Sequence, residues 1–239
     1  MMEDYNDIGI SSDLDGKRIR KLLCIGIFAA VMVLVGDMLL GYGVHDPSKE
    51  GLEGFLSAYL SVSDPRIFWS AFLGLIGIPL ETLCWFGIYR LIVPYSKHYA
   101  HILRSGIFGC MTFGACGVHV PCLAAVYVYK HLYEVSPEKA LEISFRFGLY
   151  FLLPAMILFF LFWAVFSCGE IMAIAKGYSP LPKKCWIFSL PVGQGLVMLL
   201  KLLPETALRN ALTAGWISLG NIWMLLGLLI AGKKAGLYE

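Results

Sequence analysis

Charged side chains are scarce in this 239-residue sequence: Asp, Glu, Lys and Arg together make up 15% of it, and the net charge is +2. Basic residues occur only in short runs flanking apolar segments, which leaves no surface for a nucleic-acid backbone and excludes that class of partner. Histidine is rarer still, with five in the chain and only His119 inside an apolar stretch. Neither a metal centre nor a cofactor is therefore expected. The 7 cysteines offer no alternative. Cys110, Cys116 and Cys122 are evenly spaced, but each step turns the thiol by about 240° around a helix, so they read as free thiols acting as small apolar groups. The first twenty residues, MMEDYNDIGISSDLDGKRIR, are polar and lack the apolar core of a signal peptide, so the first apolar segment is expected to stay in the mature chain. No repeat, low-complexity tract or long polar region breaks the sequence. One integral domain over 1–239 is the reading, with 1–20 as a polar cytoplasmic segment.

What is abundant is apolar: 58% of residues are hydrophobic and the mean hydropathy is +0.72. The fold class is accordingly all-α, a polytopic transmembrane helix bundle. Six spans are predicted at about 22–43, 67–93, 105–129, 144–175, 186–203 and 211–232. With the amino terminus inside, the cytoplasmic side carries 12 of the 19 Lys and Arg residues, among them Lys17, Arg18, Lys183 and Lys184. The positive-inside rule then places both termini in the cytoplasm of a multi-pass cell-membrane protein. Asp46-Pro47, Asp64-Pro65 and Ser136-Pro137 read as helix starts. The first should open a short helix in the outer interface, with Leu52, Phe55, Leu56, Tyr59 and Leu60 on one apolar face.

Polar groups at membrane depth are costly and mark interiors or sites. Asp37 shares a stripe with Gly26, Ala30 and Gly41; Glu81 shares one with Ser70, Gly74 and Gly77; His119 shares one with Thr112 and Ala115. Small neighbours allow close helix approach, so all three are predicted to face the bundle. At a helical rise of about 1.5 Å per residue, Asp37 and His119 both sit roughly 22–24 Å above the inner boundary and Glu81 roughly 14 Å. Equal depth makes Asp37 and His119 a candidate ion pair or hydrogen-bonded couple. Trp69, Trp85 and Arg146 are added as candidate ligand contacts. Arg146 also has Glu142 at i−4, which would explain it as a surface pair, and Glu170 is expected to be neutralised by Lys176 or Lys183.

In GDMLL (Gly36 to Leu40), DPRIFWSAFLGLIGIPL (Asp64 to Leu80) and GVHVPC (Gly117 to Cys122), the chain resembles an uncharacterised family of bacterial six-span membrane proteins, known only as a domain of unknown function. The resemblance implies that Asp37 and His119 belong to the family pattern and implies no activity. An Asp and a His at membrane depth are also similar to the membrane hydrolases of the ceramidase and progestin-receptor superfamily. Those hold zinc with three histidines, and only His119 is in place here. Three readings stay open. The first is a buried polar pocket, open to the outer leaflet, that binds or processes a lipid-like or amphipathic small molecule, with membrane lipids as partners. The others are a proton-coupled transporter and a non-catalytic membrane interaction protein, either of which could work as a homodimer. Whether the protein is an enzyme stays open.

Overall fold

In lipid every backbone N–H and C=O needs a partner from the chain itself, which a helix supplies. The computed structural model describes residues 14–238, and these form helices and connecting turns with no strand. In chain order the helices are α1 (Gly16–Gly41), α2 (Gly51–Ser57), α3 (Asp64–Cys84), α4 (Phe86–Ile92), α5 (Lys97–Phe113), α6 (Val120–Tyr133), α7 (Pro137–Phe147), α8 (Leu153–Lys176), α9 (Leu190–Met198), α10 (Ala207–Ala214) and α11 (Trp216–Lys234). Much of the expected 1–20 segment lies outside the described residues.

Five stretches are long and apolar enough to cross a membrane: Gly16–Gly41, Asp64–Ile92, Lys97–Tyr133, Pro137–Lys176 and Trp216–Lys234. The remaining stretch predicted as a span, 186–203, is built differently. It holds a shorter apolar helix, Leu190–Leu202, preceded by a 3-10 turn at Lys183–Phe188 and ending in another at Leu199–Leu202. Ser189 is extended (φ −78°, ψ 157°) and Pro191 sits in the first turn of α9, so the helix cannot continue backwards through Ser189. Helix starts also shift. Ser136 caps α7 as predicted by accepting from the Lys139 N–H. Asp46 instead accepts from the backbone N–H and hydroxyl of Ser48 in a turn, and α2 opens later, at Gly51. Asp64 lies inside α3, whose N-cap is Ser63, and its carboxylate pairs with Lys130 Nζ at 2.6 Å and His131 Nε2 at 3.3 Å.

The core is organised by glycines that let helices touch. On α1, a Cβ at Gly26 would overlap Cys84 of α3 and Leu225 of α11, and one at Gly41 would overlap Ala214 of α10. Arg66 at the start of α3 donates to the Leu39 and Tyr42 carbonyls at the end of α1 (2.8 and 2.9 Å), satisfying orphan acceptors there. Helices α5 and α8 run antiparallel through Gly106 against Phe166 and Gly169 against Ile102. Gly16 meets the Leu237 carbonyl, so both described chain ends lie together. Near them α8 finishes on the left-handed Gly177 (φ 84°) and Lys176 Nζ reaches Tyr99 Oη at 2.8 Å. We call this the Tyr99 end, and the opposite end, where the His45 and Glu205 loops meet, the His45 end. Of the cysteines, Cys84, Cys110 and Cys185 are buried while Cys24, Cys116 and Cys168 are exposed on outward helix faces.

Two π-helical turns interrupt the long spans, at Gly114–His119 and Gly148–Leu152. Each ends two residues before a proline, Pro121 and Pro154. Proline removes a donor and crowds the carbonyl four residues back, and a widened turn is one way to absorb this. The two turns are adjacent in space, with Gly117 of the first against Ala155 of α8.

These contacts predict opposite outcomes for two glycines. A Cβ at Gly106 would lie 2.6–2.8 Å from the Phe166 backbone and Cβ, whereas one at Gly195 meets nothing within 4 Å. In thermal unfolding in detergent, Gly106→Ala should cost about 1–3 kcal/mol, while Gly195→Ala should be stabilising by up to about 1 kcal/mol. Equal shifts would contradict the described packing.

Candidate functional site

Three adjoining cavities lie toward the His45 end. The first is a polar chamber of about 250 Å³ between α1, α3, α6 and α11, lined by Asp37, Glu81, Trp85, His119, Ser218 and Asn221 among others. Asp37 projects from α1 toward the first turn of α11. Gly215 lets the two helices approach here, because a Cβ added to it would overlap Leu34 and touch the Asp37 Cβ. Asp37 Oδ2 accepts from the Ser218 hydroxyl at 2.7 Å, at the helix end whose unpaired N–H groups favour an anion.

His119 closes the first π turn. Its Nε2 lies 3.0 Å from the Ser70 carbonyl oxygen, and since a carbonyl only accepts, Nε2 carries the hydrogen. Nδ1 therefore faces the chamber, 3.7 Å from Asp37 Oδ1. That separation is within ion-pair range and longer than a direct hydrogen bond. Gly74 is required for this pose, because a Cβ there would sit 2.0 Å from Nε2. Glu81 is 3% exposed, and its Oε1, the Asn221 Oδ1 and the Trp85 Nε1 are buried without a hydrogen-bond partner. Leaving such atoms unmet costs about 1–3 kcal/mol each, and all three belong to residues that line the chamber. Chemically, two carboxylates and an imidazole of fixed tautomer can bind a hydroxyl or amine and move a proton.

Of the sequence candidates, Asp37, Glu81, Trp85 and His119 share this chamber. Trp69 does not: one residue before the buried Ser70, it points outward, half exposed, against Phe68 and Phe72. Arg146 is also elsewhere, pairing with Glu142 at 2.8 Å on an exposed face of α7. Glu170 is fully buried, and Lys176 reaches Tyr99 rather than Glu170, being about 240° farther round the helix. Ser218 and Asn221 read from sequence only as interhelical hydrogen-bonding residues. Tyr59 and Cys122 were invisible as site residues.

The second cavity is an apolar groove of about 400 Å³ between α2, α6 and the α7–α8 region, with Leu52, Phe55, Leu56 and Tyr59 on one wall and Gly148, Leu152 and Met156 on another. It shares Tyr59 and Cys122 with the chamber. The third, about 580 Å³, is a mouth lined by His45, Lys201, Arg209, Asn210, Thr213 and Trp216, and it also touches Tyr59. Glu205 Oε1 fixes its rim, accepting from Asn210 Nδ2 (2.7 Å), His45 Nδ1 (2.5 Å) and the His45 backbone N–H (3.2 Å). The Asn210 hydrogen bond, helped by those from His45, holds the Glu205 carboxyl at about 2. Among the described residues no group of three or more His, Cys, Asp or Glu lies close enough to share a metal ion.

Residues 5–235 match the family model DUF6796, described as a family of unknown function. The chain belongs to this family. No curated protein and no solved structure matches it.

Two measurements probe this geometry. Gly74→Ala should displace the His119 ring and lower stability by about 1–3 kcal/mol in detergent unfolding, against the slight gain usual for alanine in a helix; a stabilised variant would contradict the pose. Glu205 has a folded pKa below the ordinary 4.5, so its contribution is full above that value and is lost as pH falls toward 2. Glu205→Gln should therefore lower the unfolding midpoint at pH 6 and converge on wild type as pH falls below about 4.5. A difference that is constant with pH would contradict the Glu205 contacts.

Proposed function

We propose that this is a six-span protein of the cell membrane, with both termini cytoplasmic, that takes an amphipathic, lipid-like molecule from the outer leaflet and binds or processes it in the polar chamber. One observation carries the reading: an apolar groove and a chamber of unmet polar atoms share Tyr59 and Cys122 as a common wall. An amphipath has the matching pair of surfaces, a chain for the groove and a polar group for Asp37, Glu81 and His119. In a processing role, His119 Nδ1 is the proton-accepting atom, because Ser70 occupies Nε2, and Asp37 steadies the charge that forms on the ring.

The six-span topology is supported by continuity of the chain. Helix α8 stops beside Tyr99 and Glu205 lies beside His45, which fits 177–206 running from one end to the other as a sixth crossing in broken-helix form. The excess of Lys and Arg at the Tyr99 end turns that end toward the cytoplasm. In intact cells an impermeant maleimide should label Ser48→Cys above the wild-type background and leave Ser179→Cys unlabelled. The reverse pattern would invert the topology.

The groove itself is tested at Gly148, where a Cβ meets nothing within 4 Å although the residue lines the groove. Gly148→Phe should fill the groove without disturbing the fold. The full chain, purified in mild detergent and analysed by native mass spectrometry with added phosphatidylcholine, should retain lipid, and the variant should retain several-fold less. Equal retention by folded variant and wild type would refute the reading.

A further inference from the structure

We infer that the ligand is an anionic lipid of the leaflet at the His45 end, its chain in the groove, its glycerol and ester groups toward the chamber of Asp37, Glu81 and His119, and its acidic headgroup in the mouth between Lys201 and Arg209. The inference deepens the amphipath-binding reading and rests on it. The mouth adjoins both other cavities: it shares Phe55 and Tyr59 with the groove, and Leu40, Tyr59, Ala214 and Trp216 with the chamber. A molecule with its chain in the groove therefore has a headgroup site beside it.

Charge decides the class of headgroup. The ionisable side chains lining the mouth are His45, Tyr59, Lys201 and Arg209, with no carboxylate among them. Lys201 is exposed and makes no hydrogen bond or ion pair with any described residue. Arg209 is held in place from behind: Nη1 donates to the Leu203 carbonyl at 2.8 Å, and Nε and Nη2 donate to Asn210 Oδ1 at 3.3 and 3.0 Å. Each Nη keeps one further hydrogen, so the guanidinium is oriented while still able to donate. The nearest carboxylate, Glu205, lies 4.0 Å from Arg209 Nη2. Its Oε1 already takes three hydrogen bonds from His45 and Asn210, so it serves mainly to hold the rim and offsets only part of the positive charge. A headgroup carrying a phosphate or carboxylate gains two cations here, whereas a zwitterionic headgroup brings its own cation into a site that already has them.

The experiment uses the full chain in mild detergent with three probes: phosphatidylglycerol, phosphatidylcholine with the same acyl chains, and glycerol phosphate. In native mass spectrometry wild type should retain phosphatidylglycerol over phosphatidylcholine by about fivefold, the size expected of one or two partly exposed ion pairs. Lys201→Glu, at an exposed position without partners among the described residues, should bring the ratio to about one. Glycerol phosphate at the lipid's concentration should not displace phosphatidylglycerol. A wild-type ratio near one, or a ratio unaffected by Lys201→Glu, overturns the inference. If retention of both lipids still falls in Gly148→Phe, amphipath binding survives that result; if it does not, both fall together. Displacement by glycerol phosphate would overturn the lipid in favour of a soluble anion.

Discussion

A proline inside a membrane helix leaves one backbone carbonyl without its donor and pushes on the turn before it, and lipid offers nothing to relieve either problem. At two prolines this chain meets the constraint with the same device, a π turn ending two residues before Pro121 and another ending two residues before Pro154, whereas Pro79 sits inside α3 with no such turn. The first carries His119 and turns its ring onto α3, where Gly74 exposes the Ser70 carbonyl. The second carries Gly148 and Leu152, which line the apolar groove. The two turns are neighbours in space, and Gly117 of the first also packs against Ala155 of α8, so the widening that aims the imidazole and the widening that borders the groove lie side by side.

Within the chamber the arrangement is one of incomplete satisfaction. Asp37 has Ser218 as donor and the start of α11 beside it; His119 has the Ser70 carbonyl. By contrast Glu81, Trp85 and Asn221 each keep a buried polar atom unmet. A set of residues serving only to clasp helices would be selected toward full pairing, since each unmet atom is costly in a low-dielectric interior. Buried unmet atoms also occur away from the chamber, at Ser167, Glu170 and Gln194 among others, so the proposed function rests on the chamber lying beside the apolar groove.

Much of this was legible in the sequence because helices are regular. Turning 100° per residue put Asp37, Glu81 and His119 on small-residue faces, and a constant rise gave Asp37 and His119 one depth; the structure places their facing atoms 3.7 Å apart. Trp69 and Arg146 were chosen by residue type and not by helix face, and they lie outside the chamber lining; the i−4 spacing of Glu142 did anticipate the pair that Arg146 makes. Helical regularity also concealed the break at Ser189, since Leu-rich composition is the same for a straight span and for a short helix between 3-10 turns. The contact of His45 with Glu205 joins positions 160 residues apart, and no local period records such a meeting. Tyr59 could be placed on an apolar helix face, but its position as the wall common to three cavities depends on how α2 docks.

The central claim, that a lipid chain enters beside Tyr59 and Gly148, is tested most directly by photocrosslinking. A phospholipid carrying a diazirine midway along one acyl chain would be irradiated with the protein in nanodiscs and the adducts mapped by peptide mass spectrometry. The account predicts adducts concentrated on residues 52–59 and 145–156, above the level on other exposed faces. Adducts spread evenly over the exposed helix faces, with Phe68, Trp69 and Phe72 of α3 labelled as heavily as the groove, would contradict it.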